Sequence, residues 1–441
     1  MRAKKLGRTL NDRELAAKIH PLRYINNWTN LLYIAADYAV LITLLVGTIA
    51  VCQNRAAWGV PWAALVPIVA ISIFLIGACQ HRLAGMGHEG AHYILMKNRI
   101  LNELVSDVFC MIPIFTTTEQ YRQIHLGHHE HTNDWNRDPE ILNVAETRRM
   151  ADFPMTPWEV FKNFAMHLLW PPTLLRYTWD MIYVNALGNG VHPYELDDAR
   201  PRFPGKTVRN FRPATWLGLG YVAVMAIGVG TVGLTGPAWL LAVAPVAFWC
   251  AGCAVVWLLP ESYFFQSKLK PVYSVRITSM LRLASLTILQ TAISVPLYLT
   301  GTNYAIYFWL LWVLPLGTSF PYLMLLRDLV QHANADDGKL TNSRVVFCHP
   351  FIRWAMFVYG QDAHLTHHLY PAVPHYNLPR LHELLKQENQ EYAEHVVECH
   401  GLVVRGKPGA LTGIEVLRVP TREPLDESAD EHSSAESALT V

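Results

Sequence analysis

The residues best suited to chemistry in this chain are histidines, which are gathered in three short strings. The string 88–92 is HEGAH, 125–129 is HLGHH and 364–368 is HLTHH. Residues three and four apart share a face of a helix, so each string could aim its imidazoles at one point. Neutral imidazole binds iron, zinc, copper or nickel. The strings hold eight histidines, more than one tetrahedral metal needs, and therefore predict two metal ions.

One further histidine could join these strings, and two other kinds of site could also use histidines. His332 follows the last apolar run and, on residues alone, is only a well-placed histidine. The pattern H-E-x-x-H at 88–92 is also the zinc-protease signature, with Glu89 as general base. That site needs one further ligand and leaves two strings unexplained. A bis-histidine haem protein would place histidines deep within apolar spans, and we expect the spans of this chain to contain none.

The composition indicates what must position these strings. The chain has 441 residues, 51% hydrophobic and 16% charged, with net charge +1. Soluble domains carry about 25% charged residues, so the deficit points to lipid, and the balance of charge argues against a nucleic-acid partner. Six apolar runs reach the length of about 20 residues that a spanning helix needs. They are Leu31–Cys52, Pro61–Gln80, Ala214–Leu234, Ala238–Leu259, Met280–Leu299 and Tyr304–Leu326.

The number of runs between the strings predicts a common face. Two runs precede the first string, none lies between the first and second, and four lie between the second and third. Even numbers return the chain to the side it left. Because Lys and Arg are concentrated in the first thirty residues and at Lys268 and Lys270, the positive-inside rule places this face in the cytoplasm. The apolar stretches 104–115 and 161–182 are shorter or interrupted, and we expect interfacial or re-entrant segments there.

With their flanking residues, the three strings resemble the histidine boxes of the membrane fatty acid desaturase and hydroxylase superfamily. The resemblance covers roughly Gly87 to His382. It rests mainly on the second box with Thr132-Asn133-Asp134 and Asp138-Pro139, and on the third box with Leu369-Tyr370-Pro371. Membership implies a non-haem di-iron centre, completed by a histidine after the last span. The implied ligands are His88, His92, His125, His128, His129, His332, His364, His367 and His368.

The resemblance also implies an activity. Two irons and O₂ as co-substrate would introduce a double bond into a fatty acyl chain or a related lipid. Hydroxylation of a lipid or carotenoid by the same centre is the nearest alternative. No fused electron carrier is visible, which implies a separate donor of the ferredoxin or cytochrome b5 type. Carboxylates could orient the ligating imidazoles through their second N–H; the candidates are Glu89, Asp134, Asp138, Asp328 and Asp362.

The whole prediction is an all-α, multi-pass membrane protein with about six spans and additional interfacial helices. Residues 1–30 form a cytoplasmic segment, 31–404 the desaturase-like membrane domain, and 405–441 a polar, disordered tail. Two features depart from the family pattern. Glu89 stands where the first box more often has aspartate, and four spans separate the second and third boxes instead of the commoner two.

Overall fold

The computed structural model describes residues 10, 12–144, 153–162, 171–188, 190–194 and 213–419. Six of its helices are long and apolar enough to cross a membrane. We call them the first to sixth spans: Asn27–Asn54, Trp62–Ala91, Pro213–Thr235, Leu240–Leu258, Val275–Thr300 and Ala305–His332. The predicted all-α, multi-pass architecture is confirmed.

Two of these helices continue well beyond their apolar runs. The second span ends at Ala91 instead of Gln80, and the sixth ends at His332 instead of Leu326. The added turns are buried inside the protein, so their polar side chains meet protein partners and not lipid. The span helices therefore carry His81, His88 and His332, contrary to the expectation that they hold no histidine.

A buried ion pair joins the first two spans to the loop before the third box. Asp37 in the first span is only 3% exposed and accepts from Nε of Arg82 at 2.5 Å. Nη2 of Arg82 donates to the Tyr359 hydroxyl at 2.7 Å, and that hydroxyl donates to the second carboxylate oxygen of Asp37. Charges within a membrane segment are costly unless they are paired and face the interior. This trio therefore fixes the loop at 359–361 against the spans.

The stretch between the first and second boxes does not cross to the other side. Helical residues Arg99–Ile114 and the helix Thr118–Glu130 meet at a bend of 91°. Nε2 of His92, before this pair, and Nε2 of His125, within it, lie 2.8 Å apart. The chain therefore returns to the face it left, as expected of a re-entrant segment.

The box side is covered by short elements and one small sheet. Strands β1 (Val345–Phe347) and β2 (Glu398–His400) pair in parallel, with Val346 opposite Cys399. The chain stays folded beyond 405, where a disordered tail was expected. Val416 and Leu417 are buried, and the Leu417 carbonyl accepts from Met155 N at 2.8 Å. The remainder of that tail, 420–441, lies outside the described residues.

Short helices complete this layer. They are Arg13–Ile19, Arg99–Ser106, Thr118–Glu130, Pro139–Val144, Pro171–Met181, Pro350–Ala355, His364–Leu369, Leu378–Glu388 and Gln390–His395. We call Thr118–Glu130 the second-box helix and His364–Leu369 the third-box helix.

Candidate metal centre

The first box lies at the end of the second span, where close packing fixes its position. A Cβ on Gly90 would come within 2.2 Å of Ser106 Oγ, so only glycine allows this approach. The side chain of Asn102 donates to the Gly90 carbonyl at 2.8 Å and accepts from Leu95 N at 3.0 Å. The helix end and the turn after His92 are thereby held together.

A buried arginine connects the first box to the second. Arg122, in the second-box helix, donates from Nε to the Ala91 carbonyl at 2.9 Å and from Nη2 to the Gly90 carbonyl at 3.1 Å. The same guanidinium forms a bidentate pair with Glu103, at 2.9 and 2.5 Å. A side chain of the second-box helix thus binds two carbonyls at the end of the first-box helix.

A second buried arginine connects the end of the sixth span to the third box. Arg344 donates from Nη1 to the Val330 carbonyl at 3.0 Å and from Nη2 to the Ala333 carbonyl at 2.6 Å. It thereby closes the helix end that carries His332. Its backbone carbonyl accepts from Leu365 N at 3.3 Å, inside the third-box helix.

The structure brings the nine predicted histidines together in two groups. One group has five imidazoles (His88, His92, His125, His129 and His367) and the other has four (His128, His332, His364 and His368). Within each group the nitrogen atoms facing the centre lie within 4.8 Å of one another. The groups adjoin, since the rings of His129 and His368 stack at 4.2 Å between centroids.

The second and third boxes each divide their histidines between the two groups. His125 and His129 join the larger group, while His128 joins the smaller one; His364 and His368 join the smaller group, while His367 joins the larger. The expectation of one shared point holds for His88 and His92 but was wrong for the second and third boxes. At about 3.6 residues per turn, positions i and i+4 differ by about 40° around the axis, whereas i+3 lies about 100° from i+4. The middle histidine points to the neighbouring group.

The spacing of the ring nitrogens fits metal coordination. Nε2 of His125 lies 2.8 Å from Nε2 of His92 and 3.1 Å from Nε2 of His129. In the smaller group, Nε2 of His364 lies 2.8 Å from that of His332 and 3.1 Å from that of His368. A metal–nitrogen bond of about 2.1 Å sets adjacent ligands about 3.0 Å apart in an octahedron and about 3.4 Å apart in a tetrahedron. The shortest spacings in each group are therefore close to those of ligands that share one ion.

Burial keeps these imidazoles in the form that binds metal. Desolvation, followed by the neighbouring rings, lowers the pKa of His129, His367 and His368 well below its ordinary value. Neutral imidazole is the ligand form. His128 differs, because burial lowers its pKa while Asp138 and other carboxylates outweigh that effect and raise it to about 9.

In the four-imidazole group, three histidines have their Nδ1 atom within hydrogen-bond distance of a neighbouring oxygen. Asp138 lies 2.9 Å from Nδ1 of His128, and the Thr132 hydroxyl lies 3.1 Å from Nδ1 of His368. Nδ1 of His332 donates to the Asn342 carbonyl at 3.0 Å. This carbonyl therefore orients the His332 ring. Asp328 is buried, and its charge helps to raise the pKa of His128.

Two of the other expected carboxylates hold cations instead of imidazoles. Asp134 accepts from Nε of Arg137 at 2.5 Å, in the turn after the second box. Asp362 pairs with Nε of Arg353 at 2.7 Å. Both were expected to orient a ligating ring, and among the described contacts neither does. In each case the carboxylate pairs with an exposed arginine instead, Arg137 for Asp134 and Arg353 for Asp362.

Glu89 does not occupy the position that a zinc protease requires. It is 1% exposed and accepts from the backbone N–H of His375 at 3.0 Å, while its other oxygen lies 3.9 Å from Nδ1 of His88. A general base must face a metal-bound water. Glu89 instead connects the first box to the segment after the third. With five and four imidazoles in two groups, the arrangement also exceeds the three protein ligands of such a catalytic zinc.

Two glutamines beside the centre carried no sequence signal. Nε2 of Gln361 lies 3.3 Å from Nε2 of His88, and the Gln331 amide donates to the Gln361 carbonyl at 2.5 Å. Both side chains are buried. Neither belongs to a spacing pattern, so only the fold reveals them.

An apolar cavity of about 330 Å³ adjoins the larger group. Tyr121 lines it and stacks on His125, with centroids 5.1 Å apart and rings 10° from parallel. The rest of its wall is mainly apolar, including Met111, Phe320 and Met324. A slender apolar molecule placed there would lie beside the imidazole cluster.

Comparison with known proteins agrees with this geometry. The fatty acid desaturase family model matches residues 61–267 and 254–400. The chain is also similar to the dihydrorhizobitoxine desaturase of Bradyrhizobium elkanii, with 27% identity over 176 residues. That alignment covers 38% of this chain and 44% of the relative, so the chain spans less than half of that protein's length. The family match, in contrast, includes all three boxes and most of the chain. This membrane protein therefore belongs to the fatty acid desaturase family, whose members are oxidoreductases.

Proposed function

We propose that this chain is an O₂-dependent desaturase that holds two non-haem irons, one in each histidine group, and introduces a double bond into an acyl chain. The observation that carries the proposal is the adjacency of the five-imidazole and four-imidazole groups. Breaking an unactivated C–H bond is beyond any side-chain acid or base, so a metal must supply the oxidising chemistry. Bound iron would activate O₂. The O₂ would take two vicinal hydrogens from the acyl chain and two electrons and two protons from the donor and solvent, and would be released as two molecules of water.

The protein's own residues would bind and orient the substrate. Tyr121 lines the apolar cavity and stacks on His125, so an acyl chain in that cavity would lie one ring away from the cluster. The packed imidazoles and the buried Arg122–Glu103 pair exclude bulk water from the other side. Orientation of this kind decides which carbon atoms face the oxidant.

Sidedness and electron supply form part of the same proposal. The Lys and Arg distribution supports a cytoplasmic position for the box side, where a ferredoxin or cytochrome b5 type donor would dock. The parity of the spans supports placing the three boxes on that side.

Two measurements on the purified chain test the proposal. Metal analysis should give about two irons per chain, the number that two groups of ligands require. Lipid profiling of a host expressing the chain should show a new alkene, which a His367→Ala variant does not form. One zinc and no iron in active protein would refute the proposal. A hydroxylated product with full iron content would assign the chain to the hydroxylase alternative.

A further inference from the structure

A second cavity, of about 240 Å³, lies between the second-box helix and the third, fourth and fifth spans. Ala186 lines both this cavity and the apolar one beside Tyr121. Residues 115 and 116 line the apolar cavity and residue 117 lines the new one. The two cavities are therefore neighbours on one continuous stretch of wall.

The second cavity contains an arginine that forms no ion pair with any residue described by the structure. Arg282 lies seven residues into the fifth span, or about 10 Å along the helix. Nη2 donates to the carbonyls of Ala186 and Phe115, at 3.0 and 3.5 Å. Nε and Nη1 make no hydrogen bond to a described residue. An ionisable residue within a span indicates a functional site.

The acidic groups near Arg282 and Glu119 are engaged elsewhere. The charge of Asp107 acts on Arg282, but Asp107 accepts from Thr118 N at 2.7 Å and from the Tyr273 hydroxyl. Glu103 forms its bidentate pair with Arg122. The guanidinium thus keeps N–H groups for a ligand oxygen on the cavity side.

Glu119 lines the same cavity and is 7% exposed. Its carboxyl group makes no hydrogen bond or ion pair with any residue that the structure describes, including Arg282. Its nearest described cation along the helix, Arg122, already pairs with Glu103. The cavity therefore offers one guanidinium and one carboxyl group that do not pair with each other.

We propose that this cavity receives a zwitterionic substrate head group, with an anionic group against Arg282 and an ammonium group against Glu119. The substrate tail would pass Ala186 into the apolar cavity; this step rests on the proposed desaturase function. A purely anionic head would leave Glu119 without a ligand partner, and a purely cationic head would do the same to Arg282. A ligand of both signs satisfies both groups, and charge-assisted hydrogen bonds are the stronger kind.

The size and position of the cavity restrict the head group. Its volume is below the about 300–1,000 Å³ typical of pockets for drug-sized ligands, so it suits a small head. Thr215, Gly218 and Ser279 also line it, within two turns of the ends of the third and fifth spans that lie on the box side. At this depth in the membrane, the polar head of an amphiphile meets its apolar tail.

Binding to four probes of equal tail length tests the proposal. The probes are 2-aminotetradecanoic acid, tetradecylphosphoethanolamine, tetradecanoic acid and tetradecylamine, titrated calorimetrically into the full chain in dodecyl maltoside. We expect at least one zwitterion to bind about tenfold tighter, or about 1.4 kcal/mol, than either singly charged probe. The preferred zwitterion distinguishes a carboxylate from a phosphate head.

Charge-removing variants should separate the two contacts. Arg282→Gln should weaken the zwitterion and the fatty acid about tenfold and leave the amine unaffected. Glu119→Gln should weaken the zwitterion and the amine and leave the fatty acid unaffected. The controls are Arg276→Gln and Glu261→Gln, which break the exposed pair Arg276–Glu261 near the start of the same span.

A cavity-filling variant keeps the test decisive if a charge variant fails to fold. A Cβ on Gly218 meets no atom within 4 Å, so Gly218→Phe can enter the cavity and should weaken all four probes. Equal affinity for the four probes in the wild type, or unchanged affinities in the folded variants, would overturn the proposal. Because binding requires no turnover, charge-selective binding by a chain that forms no new alkene in the expressing host would instead contradict the desaturase proposal alone.

Discussion

Both carboxylate oxygens of Asp138 lie within hydrogen-bond distance of Nδ1 of His128, at 2.9 and 3.1 Å. The backbone N–H groups of Asn133 and Glu140 donate to the same carboxylate, each at 2.9 Å. The loop after the second box thus fixes Asp138, and Asp138 fixes the ring. Nε2 of His128 is left to face the smaller group of imidazoles.

Replacing Asp138 with asparagine should weaken the smaller group without removing a ligand. Loss of such a partner typically costs about 10- to 100-fold in metal affinity or activity. Iron retained after dialysis against a graded chelator series measures the effect. Asp134→Asn is the matched control, because the Asp134 carboxylate pairs with Arg137 and, among the described contacts, with no imidazole. Equal iron retention in the two variants would contradict a role for Asp138 in holding His128.

Replacing His332 with alanine should remove one iron and spare the other. His332 belongs to the smaller group, and the five imidazoles of the larger group stay in place. We expect about one iron per chain and no desaturation, since the proposed reaction needs both ions. His395→Ala, a change outside both groups, should keep full iron and activity. Two irons and normal turnover in His332→Ala would show that this residue is not a ligand.

Replacing Arg122 with methionine should destabilise the protein strongly. The change leaves Glu103 buried without its cation and removes the donors to the Gly90 and Ala91 carbonyls. Breaking a buried pair in this way costs about 3–5 kcal/mol, whereas the exposed Asp134–Arg137 pair is worth about 0–1 kcal/mol. Thermal unfolding in detergent compares Arg122→Met with Arg137→Met. Similar melting temperatures for both would contradict the role given to Arg122.

Filling the apolar cavity should change which chains are accepted. Gly317 lines this cavity, and a Cβ there meets no atom within 4 Å. Gly317→Leu should therefore add volume inside the cavity without displacing backbone, and shift the products toward shorter acyl chains. Product profiles by mass spectrometry measure the shift. Gly47→Leu, equally unobstructed but in the first span and outside this cavity, is the control; an identical shift there would assign the effect to general perturbation.

The proposed sidedness can be tested with single cysteines in a cysteine-free background. Lys270→Cys lies on the box side and Ala57→Cys in the connection after the first span, and both positions are exposed. In intact cells an impermeant maleimide should label the cysteine at 57 and reach that at 270 only after permeabilisation. Labelling of both positions from outside would refute a cytoplasmic box side.

The sequence was enough to predict the fold class and to identify the histidines that come together. Apolar length predicts spans because lipid imposes it, and the repeated spacing singles out the boxes. The division of the second and third boxes between two groups was beyond such reasoning. That division depends on how the neighbouring helices are placed around His128 and His367. The spacing of residues in one helix gives no information about its neighbours.

The supporting groups were the least predictable part. Asp138 and Asp134 stand in the same turn, yet only Asp138 reaches a ring, because Arg137 takes Asp134. His332 is held by the carbonyl of Asn342, and every residue has a carbonyl. Partners supplied by the backbone leave no trace in side-chain identity, so only the folded chain reveals them.

The division of the boxes between two groups also sets an order of biosynthesis. The larger group includes His367, and the smaller includes His364 and His368. Neither set of ligands is complete until the ribosome has passed residue 368 and the third box has folded back onto spans inserted long before. If the two groups hold the proposed irons, metal insertion would follow synthesis of the third box, and a nascent protein stalled between the fifth and sixth spans would have neither site complete.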